Sequence, residues 1–209
     1  MLDVTDRLSV IIGGGAVALR KARGLIEAGA MQIRMVSPDF HADIPAIVEK
    51  ITAQFEPDHL TGAGLAFAAT DLREINDAIV REARRRGIWV TRADSEEDEP
   101  GDFTTPAISR QGPVVITVAT AGAPALAAMI RDDLAAHFDP RWRMMAEAMQ
   151  AIRPALLSAD GISAEQRREV FRSLATPQAM EILMAGGIGL LWESLVLKFP
   201  PLEALAPLK

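Results

Sequence analysis

LSVIIGGGAVALRKARGLIEAGA, residues 8–30, is the stretch on which the fold turns. Residues 8–12 form an apolar run of strand length, Gly13, Gly14 and Gly15 interrupt it, and residues 16–28 are rich in helix formers before Gly29 stops them. A second strand-forming run over 33–36 completes a strand–helix–strand unit. Within such a unit the glycines have a mechanical reading. Gly13 permits a tight turn, Gly15 lets a diphosphate approach the backbone, and Ala18 packs helix on strand in the place of a third glycine. The helix that begins at Ala16 and Val17 then points its unpaired N–H groups and positive dipole end at phosphate. Gly13, Gly14, Gly15, Ala16 and Val17 are therefore expected to hold a dinucleotide.

The alternation continues. Strands are expected over 65–69 and 88–91, with a helix over 74–86 closed by Gly87 between them. Such alternation implies a parallel sheet with helices on both faces. The acidic run SEEDEPG, 95–101, reads as a solvated loop, and beyond it the pattern changes. A strand is expected over 114–119, a helix over 125–138 ended by Asp139-Pro140, and only helices thereafter, over 141–157, 163–174 and 177–197. The expected class is α/β: a Rossmann-like parallel-sheet domain over 1–102, a small region over 103–138, and an all-helical region over 139–209. After the second strand, the acid that holds ribose hydroxyls is missing from its usual place, since Met35-Val36-Ser37-Pro38-Asp39 brings Asp39 two residues late. Ser37, Pro38 and Asp39 remain the ribose candidates. With no Arg immediately following, a 2′-phosphate has no evident partner, which favours NAD over NADP.

Composition removes other classes. The net charge of -6 would repel a phosphate backbone, so no nucleic-acid partner is expected. The absence of cysteine excludes disulfides, thiolate ligands and a Cys nucleophile, and leaves the redox compartment open. The start of the chain lacks a secretory-signal pattern, and the apolar stretch 182–197 is broken by Gly186, Gly187, Gly189 and Glu193. It falls short of the roughly 20 apolar residues of a spanning helix, so a soluble, cytoplasmic protein without a membrane partner is expected. His41, His59 and His137 show no ligand spacing. Met144, Met145, Met149, Met180 and Met184 read as core and subunit interface, because methionine fills irregular apolar gaps.

GGGAVALRKARGLIEAGA, FAATDLREIND, WVTRAD, DFTTPAISRQGPVVITVAT and APALAAMIRDDL occur in this order. The series resembles the precorrin-2 dehydrogenase and sirohydrochlorin ferrochelatase family, the N-terminal module of siroheme synthases, over about residues 8–138. Its counterparts there are GGG-x-VA-x-RKA with LL-x-AGA, AATDD-x-x-VN, VNV-x-D, F-x-x-PA with RG-x-x-x-IA-x-ST, and SP-x-LA-x-x-IR.

The resemblance implies NAD-dependent oxidation of precorrin-2 to sirohydrochlorin in siroheme biosynthesis, with Fe2+ a further substrate in members that also insert iron. It implies that Asp94, matching the aspartate that closes the family's fifth strand, is the acid–base group for both steps. One carboxylate beside the ring can take the proton released in oxidation or those stripped in chelation. Read without the family, Asp94 is either a cap of the acidic loop or a site residue at the edge where open α/β sheets bind ligands. Thr70, in the AATD block, joins the cofactor set, and Arg92 and Arg110 are candidates for the substrate's carboxylates through paired N–H donors. A homodimer is implied, with 103–138 as its dimerisation and substrate region. This chain departs from the family pattern at Thr91 (Asn there), Arg92 (small apolar there) and Ala123 (Ser there). A dehydrogenase without chelatase activity, and a non-catalytic NAD- or tetrapyrrole-binding module, therefore stand as alternatives.

Overall fold

Ser9–Ile12 and Leu65–Ala68 are buried at every position, the pattern of strands covered on both faces. The computed structural model describes residues 2–93, 101–159 and 161–205. The chain divides into two units, Met1–Thr105 and Pro106–Lys209. In the first, β1 (Ser9–Ile12), β2 (Ile33–Ser37), β3 (Glu49–Thr52), β4 (Leu65–Ala68) and β5 (Trp89–Arg92) form a parallel sheet in the order β3-β2-β1-β4-β5. Helix α1 (Ala16–Glu27) connects β1 to β2, and α2 (Arg73–Arg85) connects β4 to β5. This is the Rossmann-like arrangement expected from the glycine turn. Strand order reverses at β1, so the loops leaving β1 and β4 diverge and open a crevice at the carboxyl ends.

The two-residue period of the strands sorts their side chains between two cores. Ile11, Met35 and Phe67 lie with Ala18, Leu19, Ala22 and Leu25 of α1. Val10, Ile12, Val36, Ala66 and Ala68 lie with Ile79, Val80 and Ala83 of α2. Each large side chain so buried contributes about 1.5–3 kcal/mol, against roughly 0–1 kcal/mol for an exposed ion pair. Burial therefore sets the fold. β3, with three of its four residues exposed, went unread in the sequence because an edge strand of sequence EKIT carries no apolar pattern.

The second unit begins with an antiparallel hairpin, β6 (Ala107–Gln111) and β7 (Val114–Val118), turning at Gly112 with φ 57°. β6 was also missed, since AISRQ is short and ends in polar residues. α3 (Pro124–Ala136) packs on the hairpin, but no residue of β6 or β7 is buried and α3 buries only Ala127. α4 (Pro140–Ser158), α5 (Ala164–Leu174) and α6 (Pro177–Lys198) share a separate core of Met145, Ile152, Leu156, Val170, Leu174, Leu183, Leu191, Trp192 and Leu195. Each starts at a side-chain cap: Asp139 accepts from Arg141 N–H, Ser163 from Gln166 N–H and Thr176 from Ala179 N–H. Of the methionines, Met145 is core, Met149 and Met180 pack against it, and Met144 and Met184 are exposed.

α6 is long and apolar enough by length and composition to cross a membrane, whereas the apolar stretch 182–197, taken alone, falls short of a span. Its backbone is broken within, at Gly186 (φ −145°) and Gly187 (φ 66°), where only glycine adopts the second conformation readily. Ala179 and Leu183 before the break, and Leu191, Trp192 and Leu195 after it, are buried in the helical core.

At the C-terminal turn of α2, the Glu82 carboxylate accepts from Arg85 and from Arg86, which hold its pKa down to about 2 from the ordinary 4.5. Arg86 reaches on to Thr61 Oγ1 at 3.0 Å, tying the helix end to the Pro57–Leu60 turn. A carboxyl whose folded pKa is depressed contributes stability above its unfolded pKa and loses it as pH falls through the folded value. Glu82→Gln is therefore expected to melt below the native chain at neutral pH. The difference should shrink between about pH 4.5 and pH 2, as read by thermal denaturation across that range.

Candidate functional site

The site is built where the backbone has no room for side chains. A Cβ on Gly13, whose φ is 125°, would sit 2.1 Å from the carbonyl oxygen of Ala69; one on Gly14 would sit 1.9 Å from the carbonyl oxygen of Asp39 and 2.8 Å from Ser37 Oγ. The turn after β1 is thus wedged between the loops after β2 and β4. Hydrogen bonds fix it there: Gly13 N–H donates to Val36 O at 2.9 Å, His41 N–H to Gly14 O at 2.7 Å, and Ala69 N–H to Ile12 O at 2.8 Å. Gly15 differs, because a Cβ there would meet nothing within 4 Å. It is the N-cap of α1, with no side-chain hydrogen bond to cap the helix and no acid in its first turn. Gly15 and Ala16 are exposed at the positive end of the helix dipole, Val17 is half-buried, and Ala18 is fully buried in the core. An uncapped helix N-terminus of this kind can accept an anion.

The neighbouring candidates line the same edge. Ser37 is buried beside Gly14 at the end of β2, whereas Pro38 and Asp39 are exposed on the loop beyond it. Thr70 follows β4 and is held by Asn76 of α2, with Asn76 Oδ1 2.8 Å from Thr70 Oγ1. Gly13, Gly14, Gly15, Ala16, Val17, Ser37, Asp39 and Thr70 thus gather around one turn.

Arg92 ends β5 with a side chain only 2% exposed, bonded to Asp77 of α2 at 2.7 Å. Ala93 N–H continues the ladder to Ala68 O at 2.9 Å. Asp94 and the acidic run 95–100 lie outside the described residues. The chain returns along β5, where Asp102 N–H donates to Val90 O at 2.6 Å and Asp102 Oδ2 accepts from Val90 N–H at 3.0 Å. Arg84 Nε adds a bond to Asp102 Oδ1 at 3.0 Å. Arg110 is exposed on β6, in the second unit.

Sequence reasoning missed three residues that shape this edge. Asn76, the last residue matched to AATDD-x-x-VN, carries no role in that resemblance, and Asp77 follows it; charged neighbours hide a buried amide and an ion pair there. Lys21, on α1, donates to Thr105 Oγ1 at 2.6 Å; burial, and then the neighbouring Arg20, pull its ammonium below the ordinary lysine pKa. Its place in the RKA block was the available signal.

Known proteins resemble this chain over most of its length. Siroheme synthase 1 of Aeromonas salmonicida is 32% identical over 184 residues, which is 85% of this chain and 38% of that protein. Siroheme synthase of Photobacterium profundum is 30% identical over 190 residues, 88% of this chain and 40% of that protein. The chain therefore spans well under half the length of these relatives. Among solved structures, SirC, precorrin-2 dehydrogenase, superimposes with a TM-score of 0.75 at 21% identity, covering 93% of this chain and 96% of that one, which shows a common fold. A family model described as "Putative NAD(P)-binding" matches residues 1–107, the span that carries the parallel sheet and its glycine turn. The chain belongs to that NAD(P)-binding family.

Proposed function

We propose that the chain binds NAD at the carboxyl edge of its five-stranded sheet and oxidises precorrin-2 to sirohydrochlorin, a step of siroheme biosynthesis in the cytoplasm. The observation that carries the reading is the open, uncapped N-terminus of α1 at Gly15, flanked by Ser37–Asp39 on one side and Thr70 on the other. Siroheme synthase relatives aligned over most of this chain supply the substrate class.

The amides of Ala16 and Val17 bind the diphosphate, Ser37, Pro38 and Asp39 line the adenosine ribose, and Thr70 lies toward the reacting end. When bound, NAD supplies the hydride acceptor. Removing two electrons as hydride from precorrin-2 also releases a proton. Asp94, directly after Ala93 at the end of β5, takes it as general base. The substrate's peripheral carboxylates pair with arginine. Arg110 is exposed on its hairpin, whereas Arg92 is engaged by Asp77 and must share or open that pair to meet a carboxylate.

We further propose a homodimer formed through residues 103–138, within the three-part division read from the sequence. The supporting observation is apolar surface left uncovered in that stretch: Ile108, Leu126, Met129 and Leu134 are each at least 40% exposed.

Two experiments test the reading. Under anaerobic conditions the protein with precorrin-2 and NAD should produce sirohydrochlorin and NADH, followed by absorbance; a later addition of ferrous iron reads chelation separately. Asp94→Ala should abolish the oxidation while NAD affinity stays within about 3-fold, and a variant that turns over normally removes Asp94 from the mechanism. Gly15→Asp is the sharper test of the cradle. Its φ of −81° and open surroundings accept a side chain, and a capping carboxylate favours the helix, so the apo melting temperature should hold or rise. The same carboxylate repels a diphosphate, so NAD affinity should fall by about 10-fold or more by titration calorimetry. Unchanged affinity would place the dinucleotide elsewhere.

A further inference from the structure

Asn76 is fully buried in α2, between the core-facing Ile75 and the charged Asp77. Its side-chain amide grips one residue by three bonds. Oδ1 accepts from Thr70 N–H at 3.2 Å and from Thr70 Oγ1 at 2.8 Å, and Nδ2 donates to Thr70 O at 3.0 Å. An amide paired at once with the N–H and C=O of a single residue acts as a substitute strand partner, satisfying backbone groups that the sheet no longer reaches. Thr70 Oγ1 in turn accepts from Leu72 N–H at 3.2 Å, shaping the entry to α2. The residue before Thr70 is Ala69, whose carbonyl oxygen faces Gly13 across the gap too small for a Cβ. A shift of Thr70 therefore passes directly into the glycine turn. One residue further along α2, Asp77 holds Arg92 at the end of β5. Consecutive residues of a single helix thus fix the ends of both strands on this side of the crevice.

We infer that Asn76 is a positioning residue for the dinucleotide: through Thr70 it sets the wall of the crevice beside the β1 turn, and so the affinity for NAD, without touching the cofactor. This rests on the cofactor site proposed above. The competing account is that the amide serves stability alone, which predicts a lowered melting temperature and unchanged binding.

The test uses the full chain, NAD titrated by calorimetry, steady-state turnover and melting of the apo protein. Asn76→Asp is nearly isosteric but places an oxygen against Thr70 O in place of a donor. It should weaken NAD binding by about 10-fold or more, with turnover at saturating NAD kept within about 3-fold. Asn76→Ser and Thr70→Val, both neutral, carry the test if the aspartate variant does not fold. Each should weaken NAD severalfold, and the double variant should be no weaker than the worse single one, because two residues acting as one unit do not add. Full additivity, or NAD affinity equal to the native chain in Asn76→Ser with only the melting temperature lowered, overturns the inference and leaves the cofactor site standing. Failure of the native chain to bind NAD overturns the cofactor site, and this inference with it.

Discussion

Three loops meet at Gly13 and Gly14 with no space between their backbones, and the rest of the first unit is arranged so that this contact can exist. A Cβ at either position would lie about 2 Å from a carbonyl oxygen, a separation that nothing short of moving a strand relieves. The contact needs β1 between β2 and β4, in matched register, with Ile12 level with Val36 and Ala68. It also needs both faces of the sheet covered, since β1 presents apolar side chains to α1 and to α2 alike. The crevice is a product of that packing. The turn is flush with its neighbours at Gly13 and Gly14 but free at Gly15, the N-cap of α1.

Magnitudes assign the roles of the polar groups. Losing a large side chain such as Ile11 or Met35 from either core costs about 2–5 kcal/mol, more than the surface ion pairs of this unit supply one by one. Most charged pairs, such as Arg34 with Glu49 or Arg85 with Glu82, therefore tune stability without deciding the fold. Among the described residues the contacts of Asn76 with Thr70 and of Arg92 with Asp77 are of another kind, because Asn76 and Arg92 are buried. A buried amide or guanidinium deprived of its partner costs more than the bond itself contributed. Those contacts therefore hold position firmly, and both act on the carboxyl edge where ligand is proposed to bind.

How much of this was legible in the sequence follows from what each residue faces. SVII and LAFA could be read as strands because burial on two faces leaves an unbroken apolar run. EKIT could not, since an edge strand with solvent on it keeps no such record. The glycines gave the turn, and the reason for Gly13 proved to be close approach to Ala69 as well as conformation. Gly14, counted among the ligand contacts, also packs closely against Asp39 and Ser37, a second reason for glycine that composition does not reveal. The roles of Asn76 and Asp77 were illegible for the opposite reason, although Asn76 matches the last residue of AATDD-x-x-VN: hydrophilic residues in a helix read as its solvent face until a sheet edge is placed beside them. Asp94 came from family resemblance, since spacing alone left it open between cap and catalyst.

The second unit obeys a different economy. Its helices α4, α5 and α6 bury their own core, with caps at each start and a glycine break that lets α6 turn within it. The hairpin and α3 do not. A two-stranded ribbon with one helix on it has too little apolar area to exclude water from both faces, and the exposures of Ile108, Leu126, Met129 and Leu134 are the measure of that deficit. A structure of this kind is stable when something else supplies the missing layer. The proposed second copy would supply it by symmetry, since an isologous contact sets the same incomplete surface against itself and covers both at once. In such a dimer residues 103–138 would gain from association what the sheet domain gains from its own two helices.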